Sequence, residues 1–488
     1  MRSNSHCSQI VIIGGGLSGL SSAFYLDKLA KEQGREIKIT LIEAEDKLGG
    51  KIDTLKRDGF VIEKGPDSFL ARKLPMLTLA QELGLESELT HTNPAAKKTY
   101  ILHQGKLHPM PPGLVLGIPT EIAPFAVSSM LTVSGKLRAL LDMVLPSRAG
   151  TEDESIGEFL ERRVGTEVME RIAEPLLAGI YAGELRKLSL RATFPQFREA
   201  EVKHGSLIRG MRANKRAGAA AQNALPALAK KSVFMTFKGG LSTVISALDR
   251  ALPEMDRMLG TKVSAIHKRD AAAADHGRDD SQPAYIVETE QGEKLAADAV
   301  IVTTPVFQTA GLLKPHMDVS ELEGINYVSV ANVVLAFRKQ DIAQPFDGSG
   351  FVVPRTEGRQ ITACTWTSAK WLHTSPEDYV LLRCYVGRSG DEAGVELPDD
   401  QLAANVRHDL REILGITAQP EFVEITRLRR SMPQYPVGHV ENMAKLRRRA
   451  AEQLPGVWMT GAAFDGVGLP DCVRQGKELA SQVAAALT

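Results

Sequence analysis

The sequence predicts an α/β protein, α+β overall, and three observations point there. Short β-branched runs ending in glycines stand beside helical spacing at both ends of the chain. Helical patterns dominate a long stretch in between. A further tract, about 325–430, alternates apolar and polar residues in several runs and reads as a largely antiparallel sheet. The length of 488 residues is enough for two or three domains.

The first β-branched run, 9–13, reads as a buried parallel strand entering a tight turn. Helical spacing follows over 17–29 through Leu17, Leu20, Phe24, Leu26 and Leu29, then a second strand over 36–43. Strand, turn, helix, strand is the first half of a Rossmann-like dinucleotide fold. The turn is Gly14-Gly15-Gly16-Leu17-Ser18-Gly19. Gly14 permits the tight turn, Gly16 lets backbone approach a pyrophosphate, and Gly19 lets helix and strand pack closely. The helix N-terminus offers unpaired N–H groups to phosphates. Glu43, at the end of the second strand, is placed to accept from a ribose hydroxyl, and its charge disfavours a 2′-phosphate.

Later elements follow the same reasoning. Helices are expected over 155–164 and 167–177, with Pro175 ending or kinking the second. The stretch 212–231, rich in Ala, Lys and Arg, reads as a mobile connection. Lys238-Gly239-Gly240-Leu241-Ser242 opens a helix, and a short strand near 261–266 carries Val263, a cofactor-binding candidate. Residues 271–283 read as an exposed hairpin loop. Residues 298–304 read as a buried strand closed by Pro305. The C-terminal segment from Val457 is again strand, glycine turn and helix, and no internal repeat is evident.

Bulk composition excludes some functions. Lys plus Arg and Asp plus Glu are 59 each, so net charge gives no reason to expect nucleic-acid binding. The four cysteines form no CxxC pair and no zinc spacing, so free thiols in a reducing cytoplasm are expected, with no metal. No signal-peptide stretch precedes the first strand. The apolar run 122–135 is too short to span a membrane.

Three further segments extend the dinucleotide site. Glu43-Ala44, then Leu48-Gly49-Gly50-Lys51-Ile52, resembles the signature of the amine-oxidase-like FAD superfamily. That resemblance implies FAD, with Lys51 a cation near the phosphates. It also places Gly65-Pro66-Asp67-Ser68 beside the flavin ring. Gly466, Val467 and Gly468 precede a helix expected to begin near Leu469, whose dipole would face the flavin and stabilise its reduced form.

Leu107-His108-Pro109-Met110-Pro111, Gly117-Ile118-Pro119-Thr120, Glu174-Pro175-Leu176-Leu177, Gly179-Ile180-Tyr181-Ala182-Gly183 and Met432-Pro433-Gln434-Tyr435 resemble the protoporphyrinogen/coproporphyrinogen oxidase family. The likeness covers nearly the whole chain and includes Gly466 to Cys472. The Gly65-Pro66-Asp67-Ser68 run is most similar to the coproporphyrinogen III oxidase branch of Gram-positive bacteria. One departure is Leu428, where that branch commonly carries an aromatic residue.

The resemblance implies an amine-oxidase-like architecture in three parts. Residues 7–75, 232–306 and 440–488 would bind FAD. Residues 76–105 and 307–439 would form a mixed-sheet substrate domain. Residues 106–231 would be helical. Within the last, 114–145 reads either as a peripheral membrane patch or as a lid over the pocket, and the lid is preferred. The implied reaction is the six-electron oxidation of a porphyrinogen in haem biosynthesis, with flavin N5 accepting hydride and O2 becoming H2O2. A haem-pathway enzyme is an expected partner. No side-chain acid/base pair stands out, and His103, His108 and His439 read as structural or exposed. Ile180, Tyr181 and Tyr385 are the pocket-lining candidates. Lys73, Arg72 and Lys98 are the candidate anchors for substrate carboxylates. Protoporphyrinogen IX as substrate, another flavin amine oxidase, and a flavin-binding module without turnover stay open as alternatives.

Overall fold

Strand Ser8–Ile13 stands at the centre of a five-stranded parallel sheet. The order is Asp256–Met258, Ile37–Ile42, Ser8–Ile13, Ala299–Val302, Val457–Met459. The computed structural model describes residues 7–221, 225–227, 229–269 and 283–487. Alternate residues of the central strand feed two cores, as a two-residue repeat requires. Ile10 and Ile12 pack with helices Leu17–Glu32 and Leu469–Ala486. Val11 and Ile13 pack against Val263–Lys268 and Tyr285–Thr289, an antiparallel pair, and helix Val306–Leu313. The hairpin loop expected over 271–283 lies, except for Pro283, outside the described residues.

The second large sheet has seven strands, ordered Phe422–Pro433, Tyr327–Arg338, Tyr379–Val386, Ile361–Trp366, Gly348–Val352, Lys98–His103, Lys106–Pro109. It is mixed, because Gly348–Val352 and Lys98–His103 run parallel. Strand Lys106–Pro109 belongs to this sheet, although the sequence reading had started the helical part at 106. One face, with Val333, Leu335, Leu382 and Cys384, is covered by helix Asp399–Leu414, which the sequence reading had missed. On the other face Val334, Ala336 and Leu381 pack on Phe60 and Ile62. That second contact sets the sheet over the segment leading to Gly65.

The stretch between is helical. Pro175, expected to end or kink its helix, does not end it. Thr166–Val168 runs into a π-helical turn, Met169–Ala173, and helix Glu174–Tyr181 continues from there. Proline has no N–H to return and its ring crowds the carbonyl four residues back, so the turn before it widens. The expected mobile connection over 212–231 is a helix for its first half, Leu207–Ala221, in keeping with its alanine content. A buried ion network braces this region. Arg163, fully enclosed, donates from Nε to Asp142 at 2.5 Å and lies 3.4 Å from Glu201. The apolar run 122–135 divides into Ile122–Val127 and the start of Val133–Leu140, the latter capped by Thr132. No helix among the described residues is long and apolar enough to cross a membrane.

Candidate cofactor and substrate site

The glycine loop is held from both sides. Gly14 has φ +109, and its N–H donates to Ile42 O at 2.8 Å. Thr303 Oγ1 donates to Gly14 O at 2.9 Å. A Cβ on Gly19 would stand 2.0 Å from Gly14 O, so helix and turn meet only because residue 19 has no side chain. Gly16 differs, with an ordinary φ of −75 and nothing within 4 Å of where its Cβ would lie. No protein neighbour requires glycine there. The open space lies at the N-terminus of Leu17–Glu32, which has no side-chain cap and no acidic residue in its first turn. N–H groups without an intrahelical partner, the positive helix end and an unfilled cradle fit a pyrophosphate. Ser18, the second residue of this helix, is buried.

Glu43 stands where the ribose hydroxyls were expected. Its Oε2 accepts the Gly15 N–H at 2.6 Å and its Oε1 accepts the Glu45 N–H at 2.9 Å. Each carboxylate oxygen keeps a lone pair for a hydroxyl. Ala44 follows it, and the Thr261 N–H donates to Glu43 O at 2.9 Å, which brings the segment entering Val263 alongside. The second glycine turn docks on the first, with Gly49 N–H donating to Gly15 O at 2.9 Å.

Lys51 was expected near the phosphates. Its ammonium donates to Ser431 O, near the end of strand Phe422–Pro433, and lies 5.9 Å from the Tyr327 ring centroid. Desolvation by the surrounding protein lowers its pKa to about 8.

The Gly65-Pro66-Asp67-Ser68 segment is fixed by charge. Arg383 donates from Nη2 to Gly65 O, and Asn332 Nδ2 donates to Lys64 O at 2.7 Å. Burial would raise the Asp67 carboxyl, but Lys370 at 3.1 Å, Arg383 and the Ser68 hydroxyl outweigh it and hold Asp67 far below the usual range. Glu63 goes the other way. Burial lifts it to about 7 against the pull of the Leu241 N–H, Thr54 and Arg383. Arg383 Nε and Nη1, Trp371 Nε1 and Thr236 Oγ1 are buried without protein partners and face one cavity, shared with Glu63 and Asp67. Such groups call for water or a ligand.

The C-terminal loop closes the site. Helix Leu469–Ala486 begins where expected, with Gly468 as its uncapped N-cap. Asp471, in its first turn, is neutralised by Lys73, whose Nζ lies 2.6 Å from Oδ2. Lys73, a candidate substrate anchor, is thus paired with a residue 398 positions along the chain. Lys98 pairs with Asp347 at 2.6 Å on the sheet exterior, and Arg72 is exposed.

Tyr181 is 6% exposed, packed edge-on to Phe194 and Tyr435. Burial, with the Asp471 charge adding to it, pushes its hydroxyl well above the usual range. Ile180 is 44% exposed and open to a ligand. Tyr385 shares its strand face with Arg383, whose guanidinium lies 5.0 Å from its ring centroid. By the same alternation Leu428 shares a face with Thr426, which pairs with Asn332. His439 Nε2 lies 3.0 Å from Phe464 O and its ring stacks on Tyr435 at 4.2 Å, a structural placement. Val467 packs against the helical core.

Residues 17–484 match the family model described as flavin containing amine oxidoreductase. A coproporphyrinogen III oxidase of Bacillus subtilis strain 168 is 44% identical over 472 residues, 97% of each chain. One of Staphylococcus aureus strain NCTC 8325 / PS 47 is 40% identical over 98% of this chain and 99% of its own. A solved structure from Exiguobacterium sp. 255-15, provisionally described as a protoporphyrinogen oxidase, superposes with a TM-score of 0.85 at 36% identity, covering 98% of this chain and 99% of that one.

Proposed function

Because the chain belongs to the flavin containing amine oxidoreductase family, we propose that it is an FAD-dependent oxidoreductase that converts coproporphyrinogen III to coproporphyrin III. The observation that carries this reading is the near-full-length similarity, at 44% and 40% identity, to coproporphyrinogen III oxidases. The uncapped glycine loop fits the cofactor independently.

When bound, FAD supplies a two-electron acceptor for each of the three oxidations. The chain's residues do the rest. Gly14 to Gly19 and the first helix hold the pyrophosphate, and Glu43 the ribose. Lys370 and Arg383 hold Asp67, and with it the turn beside the ring. The start of Leu469–Ala486 would support the ring, with its Asp471 charge cancelled by Lys73. Ile180, Tyr181 and Tyr385 wall the substrate and exclude water.

O2 as final acceptor, H2O2 as product, a cytoplasmic setting and a haem-pathway partner belong to the same reading. So does the three-part division, with the substrate part extended to Pro109. Peripheral membrane contact would use the exposed Val127, Val133, Leu137 and Val144. Protoporphyrinogen IX is the second substrate to compare, because it has two propionates where coproporphyrinogen has four. The test is kcat/KM for both porphyrinogens. The reading expects a clear preference for coproporphyrinogen III, and a strong preference for protoporphyrinogen IX overturns it.

A further inference from the structure

Two arginines close the end of the seven-stranded sheet where it meets the helical stretch. Strand Tyr379–Val386 passes Arg383 beside Gly65, then Tyr385, turns at Gly387 with φ +93 and delivers Arg388. Strand Gly348–Val352, two places across and pointing the same way, leads into Arg355. Both arms reach the loop after Ile180 and Tyr181. Ser389 N–H donates to Ala182 O at 2.7 Å, and Arg355 Nη2 donates to Gly183 O at 3.1 Å. Five residues of strand separate Arg383 from Arg388, up to about 16 Å. That is the reach of a tetrapyrrole with one extended propionate arm, measured outward from the flavin-side segment.

The pair is loosely neutralised. Arg355 Nε lies 3.3 Å from Glu174, and Arg388 Nε 3.4 Å from Asp391. Asp391 is 52% exposed, so water screens its pull. Arg388 is only 11% exposed, and its buried Nε has no aligned hydrogen-bond acceptor. Burial and then the neighbouring Arg355 charge both disfavour its cation. Arg388 keeps a buried Nε without an aligned acceptor, and its guanidinium stands near enough to Arg355 for the two charges to repel; two such forks suit a carboxylate taken in two-pronged fashion.

We propose that Arg355 and Arg388 form a carboxylate-binding site that anchors a propionate of the porphyrinogen at the edge furthest from the flavin. The inference rests on the substrate reading above.

The test uses holoenzyme of wild type, Arg388→Gln and Arg355→Gln. Each is titrated by fluorescence with coproporphyrin III and, separately, with its tetramethyl ester. Each substitution is expected to weaken binding of the acid roughly tenfold and to leave the ester within about twofold. KM for coproporphyrinogen should rise in step while kcat holds, and Arg388→Lys should recover part of the loss. Equal shifts for acid and ester, or no shift for either, overturn the inference. If Arg388→Gln does not fold, Arg355→Gln, more exposed at 29%, carries the same comparison. A wild-type enzyme that turns over only protoporphyrinogen overturns the substrate reading. The acid-against-ester comparison still decides the inference, since both porphyrins carry propionates.

Discussion

The Tyr435 hydroxyl accepts the N–H of Gly466 at 3.0 Å and donates to Ala462 O, so one side chain fixes both sides of the C-terminal glycine loop. Its neighbour Gln434 donates from Nε2 to Tyr181 O at 2.7 Å, tying that loop to the pocket wall. Tyr435→Phe keeps the stacking on His439 and removes only the hydroxyl. Thermal denaturation should show a loss of about 1–3 kcal/mol, and the purified variant should retain less FAD. Unchanged stability and full flavin content would mean that the hydroxyl does not hold the loop.

Gly16 and Gly19 separate cofactor space from protein packing. Gly19→Ala drives a methyl group against Gly14 O and should lower the stability of the flavin-free protein. Gly16→Ala meets no protein atom, so the flavin-free protein should melt as wild type does. Its affinity for FAD should nevertheless fall at least roughly tenfold, read by flavin fluorescence. Wild-type affinity in Gly16→Ala would remove the pyrophosphate from this loop.

Glu63 sets a pH dependence. Burial raises its carboxyl from 4.5 to about 7, so the folded state holds the proton more tightly than the unfolded chain does. The stabilisation is full below about pH 4.5 and is lost as pH rises through about 7. Glu63→Gln removes the titration and can still accept from the Leu241 N–H. Its stability curve should be flatter across this window, diverging from wild type by on the order of 3 kcal/mol. Parallel curves from pH 4.5 to 7 would remove Glu63 as the source.

Lys73 separates flavin binding from substrate binding. Its side chain is 42% exposed and pairs with Asp471, so Lys73→Met should cost at most about 1 kcal/mol. It should also reduce FAD retention, because an uncancelled carboxylate is left in the first turn of the last helix. KM for coproporphyrinogen should stay within about twofold of wild type. A large rise in KM with full flavin content would restore Lys73 as a substrate anchor.

The parallel sheet was legible because its signals are local. β-branched runs stop at glycines, and Gly14 to Gly19 carries its own spacing. The mixed sheet was expected as a class, but its strand order was not, since strands Lys98–His103 and Gly348–Val352 pair across about 250 residues with no local trace of register. Lys73 and Asp471 are 398 positions apart, and no pattern near either announces the other. Arg383 and Lys370 escaped for the same reason: their place beside Asp67 follows from how the sheet lies on Phe60 and Ile62. Gln434 and Tyr435 stood in a recognised motif, but their roles appear only when three distant segments meet. Pro175 was read correctly as a disturbance, and the helix absorbed it as a π turn.

The central claim is that a porphyrinogen reduces flavin held by the Gly14 loop. Anaerobic stopped-flow mixing of the yellow holoenzyme with coproporphyrinogen III tests it most directly. The account predicts bleaching of the oxidised-flavin absorbance, with stepwise growth of coproporphyrin fluorescence once O2 is admitted. Flavin that stays oxidised in the presence of saturating coproporphyrinogen III would contradict it.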